Sequence, residues 1–344
     1  MMGAQTDQTA ALDRPVEEEF NDHLGLQDVD FVEHYVGNAK QASHFYQTVF
    51  GFKLKAYSGL ETGNRDRVSY LLQQGNIRFL VTSSLNSNSP ITKHIVKHGD
   101  GIHDIAMHVE DVDRAYKETV ERGAEGVEAP HDLEDDHGII RKAAIATYGD
   151  TIHTLINRSN YDGIFMPGFE PAESPIKKIE PVGVQYVDHC VGNVEKGRMN
   201  DWVDFYRDVM GFTQYIHFDD KDISTEYSAL MSKVMAGGCG MIKFPINEPA
   251  EGKKKSQIEE FLDFYEGPGV QHIALLTGDI IKTVKELKGR GLEFLHVPTT
   301  YYEELENRVG KIDEPVDQLE DLGIGNFKDL FQAIEREQDK RGNL

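Results

Sequence analysis

The chain has 344 residues, with 36 Lys and Arg against 59 Asp and Glu and a formal net charge of −23. That balance argues against nucleic acid as a partner, because phosphate backbones are held by Lys and Arg surfaces. A hydrophobic content of 39%, with no apolar run near the length of a bilayer span, argues against a membrane protein.

In chain order, Met1 to Phe20 is polar and carries Glu17-Glu18-Glu19. It lacks the basic start and apolar centre of a signal peptide, so residues 1–27 are expected to be a mobile leader of a cytoplasmic protein. Cys190 and Cys239 give no disulfide framework and suit a reducing compartment. Cys190 reads as a small core residue, since strand neighbours face opposite ways and His189 precedes it. The basic run Lys253-Lys254-Lys255 reads as a solvated loop.

An internal repeat organises the rest. Phe31-Val-Glu-His34-Tyr-Val-Gly-Asn38 matches Tyr186-Val-Asp-His189-Cys-Val-Gly-Asn193, and each leads into a helical stretch. Gly99-Asp-Gly-Ile-His-Asp104-Ile-Ala matches Gly267-Pro-Gly-Val-Gln-His272-Ile-Ala. Each of these is followed by a helix, over Val112–Gly123 and Ile280–Gly291, closed by an Arg-Gly C-cap. Two modules on one plan follow, at 28–159 and 182–344, joined by a Pro- and Gly-punctuated linker at 160–181.

The first module ends in two strands, His137–Thr147 and Asp150–Arg158. The second has no such pair. Leu322-Gly323-Ile324 runs straight into Gly325-Asn326-Phe327, the start of a C-terminal helix with Phe327, Leu330, Phe331 and Ile334 on one stripe. The second module therefore reads as lacking its closing hairpin.

A histidine in an apolar strand is usually a core residue with one hydrogen-bond partner. His272 is such a residue, in Val270-Gln271-His272-Ile273-Ala274. Strict alternation would place Val270, His272 and Ala274 on one face and Gln271, Ile273 and Leu275 on the other. The repeat supplies a second histidine, His189, on the matched strand. Two imidazoles on one inner face begin a site for iron, zinc, copper or nickel, and a carboxylate would complete a facial iron(II) arrangement. His34 and Asp104, at the matching positions of the first module, read as a structural copy.

Module 2 resembles the 4-hydroxyphenylpyruvate dioxygenase family, block after block. The blocks are Tyr186–Glu195, Glu226–Lys233, Lys243-Phe-Pro-Ile-Asn-Glu-Pro249, Lys254-Lys-Ser-Gln-Ile258, Gly269-Val-Gln-His-Ile-Ala274 and the C-terminal Gly325–Leu344; Val36-Gly-Asn-Ala-Lys-Gln-Ala42 adds one in module 1. The resemblance implies an α+β fold of two tandem vicinal oxygen chelate modules, each of two βαβββ-type units, with a C-terminal helix. It implies Fe(II) held by His189 and His272, and substrate contacts from Ser232, Asn247, Gln257, Gln271, Phe327 and Leu330. It implies conversion of 4-hydroxyphenylpyruvate, an aromatic 2-oxo acid, and O2 to homogentisate and CO2 in tyrosine catabolism, by a homo-oligomer. The family's third ligand, a glutamate on the closing hairpin, has no counterpart between Ile324 and Gly325. Two alternatives follow: 4-hydroxymandelate synthase, which shares substrate, fold and iron, and a non-catalytic truncated form.

Overall fold

The computed structural model describes residues 22–178, 180–218, 230–251, 254–303, 305 and 315–325. Most of the leader and the C-terminal helix, with Phe327 and Leu330, lie outside the described residues. The first module runs β1 (Leu26–Tyr35), α1 (Ala39–Thr48), β2 (Lys53–Ser58), β3 (Arg67–Gln74), β4 (Ile77–Ser84), α2 (Pro90–His98), β5 (Gly101–Val109), α3 (Val112–Glu121), β6 (Gly126–Asp135), β7 (Gly138–Ala146) and β8 (Ile152–Tyr161). After β9 (Glu170–Pro171), the second runs β10 (Val184–Asn193), α4 (Met199–Asp204), β11 (Thr213–Phe218), β12 (Leu230–Ala236), β13 (Lys243–Pro249), α5 (Gln257–Tyr265), β14 (Gly269–Thr277), α6 (Ile280–Gly289), α7 (Thr299–Glu303) and α8 (Val316–Leu322).

The first sheet has the order β6-β7-β8-β5-β1-β4-β3-β2-β9, and the second β11-β12-β13-β10-β14. The second order reproduces β2-β3-β4-β1-β5 of the first, strand for strand. Module 1 thus holds two βαβββ units. Among the described residues, module 2 holds one, followed by β14 and α6. Beyond α6, the residues equivalent to β6 are irregular, and α7 and α8 occupy the remaining described chain. In module 1 the far side of β5 is covered by parallel β8. In module 2 the equivalent β14 is the edge among the described strands. Its residues show the consequence: β5 is mostly buried, whereas Gln271 to Leu275 are half-buried and Leu276 is exposed.

Leu24, ahead of β1, and Leu26, at its start, are buried. The linker is partly structured. Pro171 and Glu170 pair with Ala56 and Tyr57, and Phe165 is buried edge-on against Phe31 at 5.5 Å. Aromatic side chains hold this stretch against the first sheet despite its Pro and Gly content.

One apolar cluster spans both modules, joining Val32, Phe79 and Ile105 to Val203, Phe212 and Phe244. Tyr206, fully buried in the π-helical turn that continues α4, hydrogen-bonds His153 Nε2 at 2.8 Å and Thr147 Oγ1 at 3.2 Å in module 1. Gly192 lies under the Tyr148 ring, where a Cβ would come within 2.5 Å of the ring carbon. The glycine of the repeated Val-Gly-Asn motif thus lets the modules approach closely.

Candidate active site

β10 and β14 run antiparallel, with His189 opposite Ala274 and His272 opposite Val191. Opposed side chains share a face, so both histidines lie on one side of the sheet. Their ring centroids are 5.8 Å apart at 73°. Cys190 and Ile273 face the other way, into the shared core, as expected for Cys190.

The alternation expected along β14 fails at one residue. His272 pairs with Val191 and Val270 with Gly192, so Gln271 has no opposite number. This is a β-bulge, which re-aims the chain by one position. Val270 therefore joins Ile273 and Leu275 in lining a 640 Å³ cavity between the modules, whose other walls include His34, Phe45 and Phe79. Gln271 lines the same cavity, and its Oε1 accepts a 2.9 Å hydrogen bond from His272 Nδ1.

A second irregularity sits at Asp188 on β10, between the paired Val187 and His189. Its Oδ2 accepts from His189 Nδ1 at 2.7 Å, and its Oδ1 accepts from Lys243 at 2.8 Å. Partial burial pushes the Asp188 carboxyl up, but hydrogen bonds from Lys243 and His189 outweigh it and hold the group below its ordinary value. Both imidazoles are thus oriented through Nδ1, and in the neutral ring the lone pair sits on Nε2. Burial, then repulsion from His189, lowers the His272 pKa to about 4. His272 is a neutral donor at neutral pH.

The register carries the same face onto the neighbouring strands. Asn193 lies opposite Asn247, and Asn247 opposite Ser232. All three side chains are buried and form a polar row beside the histidines. Asn247 Nδ2 donates to Asn193 Oδ1 at 3.3 Å, and Asn193 Nδ2 has no partner. Asn247 is a strand residue, not the turn residue its Pro-flanked segment suggests. Gln257 is the first residue of α5, after a Ser256–Glu259 capping box, and the helix packs on β10, β13 and β14. Asn193 escaped the sequence reading, although the repeat marked it. Its counterpart Asn38 caps α1, whereas Asn193 is a buried strand residue with no helix to cap.

In module 1 the matching residues do not meet. Asp104 lies opposite Glu33, and His34 opposite Ile102, so His34 and Asp104 point to opposite faces. Thr154 donates two hydrogen bonds to Asp104, at 3.0 and 2.6 Å. Among the described residues, no third His, Cys, Asp or Glu joins His189 and His272 closely enough to share an ion; the group of three that does form is His94, His98 and Asp150.

Sheet order, repeat and paired histidines define a class. Residues 186–318 match the family described as glyoxalase/bleomycin resistance protein/dioxygenase superfamily. Residues 20–169 match hydroxyphenylpyruvate dioxygenase, N-terminal. The 4-hydroxyphenylpyruvate dioxygenase of Yarrowia lipolytica is 43% identical over 366 positions, covering 92% of this chain and 93% of that protein. That of Dictyostelium discoideum is 42% identical, covering 93% and 100%. A solved variant of 4-hydroxymandelate synthase from Streptomyces coelicolor superposes with a TM-score of 0.78 at 25% identity, covering 92% of this chain and all of that one. The chain belongs to the 4-hydroxyphenylpyruvate dioxygenase family. The matched 92% of 344 residues is about 316, so about 50 of the 366 positions aligned with the Yarrowia protein fall opposite a gap here. No helix among the described residues is long and apolar enough to cross a membrane.

Proposed function

We propose that the chain carries out its family's reaction, converting 4-hydroxyphenylpyruvate and O2 to homogentisate and CO2 on Fe(II) held by His189 and His272. The observation that carries this is the pair of Nδ1-anchored imidazoles on one sheet face beside a buried polar row. Two imidazoles fit two iron positions, and the ion would supply the redox chemistry and a binding point for a 2-oxo acid.

This chain's own residues supply orientation. Ser232, Asn247 and the unpartnered Asn193 amide offer hydrogen bonds to the polar ends of the substrate. Gln271 holds the His272 ring, and Asp188 with Lys243 holds His189. Gln257, Phe327 and Leu330 complete the proposed substrate shell by resemblance. A cytoplasmic setting fits two free cysteines, one of them exposed.

The test is O2 uptake and homogentisate formation with excess Fe(II), beside a version carrying a family-like segment between Ile324 and Gly325. Uptake by the present chain, raised strongly in the restored one, is the expected result. A second reading rests on the two-donor set and the β14 edge found among the described residues: a form that binds aromatic 2-oxo acids without turnover. Substrate binding without O2 uptake under excess Fe(II) would favour it. Formation of 4-hydroxymandelate would move the chain to the synthase reading.

A further inference from the structure

We infer that His94, His98 and Asp150 form a second divalent-metal site, of zinc type, at the seam between the two modules. His94 and His98 are four residues apart on one face of α2 and both are buried. Asp150 stands on the turn between β7 and β8, with its side chain half exposed. Each residue offers a ligand atom within 4.8 Å of the other two. Two imidazoles at helical i, i+4 spacing plus one carboxylate match a common zinc donor set, with the remaining position left to water.

The hydrogen bonds at His98 point to a cation. Its Nδ1 faces the Tyr265 carbonyl oxygen, which only accepts, so Nδ1 carries the proton. Its Nε2 lies 2.8 Å from Asp150 Oδ2, so a neutral ring would set a lone pair against a carboxylate oxygen. A second proton or a metal ion must sit between them. His94 favours the metal, because its Nδ1 is buried with no hydrogen-bond partner. An ion shared by all three residues engages both rings, whereas a proton on His98 does nothing for His94.

The position gives the site a purpose. Tyr265 ends α5 in module 2, and its ring stacks on His98 at 4.1 Å. Next to Asp150, Gly149 packs on the backbone of Pro268, with a hypothetical Cβ 2.1 Å from its carbonyl oxygen. Pro268 directly precedes β14, the strand that carries His272. An ion here would fix α2 to the β7–β8 turn, the two elements that pack on Tyr265 and Pro268 ahead of that strand.

The experiment uses the full chain stripped with a chelator and titrated with zinc chloride. Bound zinc is measured by equilibrium dialysis, with the thermal midpoint read alongside. Asp150→Asn changes a half-exposed turn residue and keeps the fold; His94→Gln is the second variant. A His189→Gln/His272→Gln double variant removes the other site. Expected is one equivalent fewer in Asp150→Asn and His94→Gln, or binding weakened at least about tenfold. The zinc-dependent rise in midpoint should survive in the double variant. If Asp150→Asn binds zinc like the parent, or only the double variant loses zinc, the inference is wrong.

Discussion

His189 and His272 sit 5.8 Å apart without being directly opposed, because Ala274 and Val191 take the positions across from them. Each is held by the residue beside it in sequence, Asp188 and Gln271. Replacing either histidine by Ala should abolish iron retention in equilibrium dialysis. Gln271→Leu, which removes only the acceptor for Nδ1, should weaken Fe(II) binding about 10- to 100-fold, and Gln271→Glu should restore much of it. Unchanged iron affinity in Gln271→Leu would show that the bond does not orient the ring.

Asn193 tests the polar row. In Asn193→Leu one unpaired amide is exchanged for another, since Asn247 loses its acceptor. The unfolding free energy should therefore shift by less than about 1 kcal/mol. Binding of 4-hydroxyphenylpyruvate, followed by calorimetry, should weaken about tenfold, as expected when a substrate hydrogen bond is removed from a buried site. A large loss of stability with intact binding would make Asn193 structural.

Buried histidines outside the paired set contribute to acid stability. Burial lowers His34 and His153 to about 4, only partly opposed by backbone hydrogen bonds. Unfolded, each titrates near 6.5. Between those values the unfolded chain binds more protons, so the stability is complete above about 6.5 and is lost as pH falls toward 4. Asp104 works the other way in much of this window, since burial raises it to about 7 despite the Thr154 hydrogen bonds. His94 and His272, also lowered to about 4 by burial, act in the same sense as His34 and His153, so acidification leaves a net fall. Urea midpoints across the range should show it, and His153→Gln should flatten the slope. A midpoint constant from pH 7 to 4.5 contradicts this account.

The β14 edge predicts self-association. Among the described strands β14 has a neighbour, β10, on one side only, and an edge carrying half-buried apolar residues is a template for another strand. Sedimentation should show concentration-dependent dimers. Leu276→Lys, at an exposed position, should shift them toward monomer without lowering the thermal midpoint. Sedimentation as a monomer at all concentrations would mean that the edge is covered.

The strands carrying His189 and His272 were legible because the repeat fixed their equivalence, and α3, α6 and β7 follow the sequence reading within a few residues. What escaped was local geometry. Alternation cannot announce a bulge, so the face of Val270 was misassigned. A register difference between the modules is equally silent in sequence, which is why His34 and Asp104, matched in the repeat, face apart. The row of Asn193, Asn247 and Ser232 depends on strand order, a long-range property. Asp188 and Lys243 went unnoticed because their value lies in a contact across strands. The metal-type cluster was hidden for the same reason: His94 and His98 share a helix, but Asp150 reaches them only through the fold.

Tyr206 puts its hydroxyl into module 1, and Gly192 lets Tyr148 rest on β10. The halves therefore share their load, and neither has a private interior. Heat or denaturant should take both down in a single cooperative step. The shared interior also explains how the second sheet, which ends at β14 among the described strands, is held: its keystone residues are lodged in the other half.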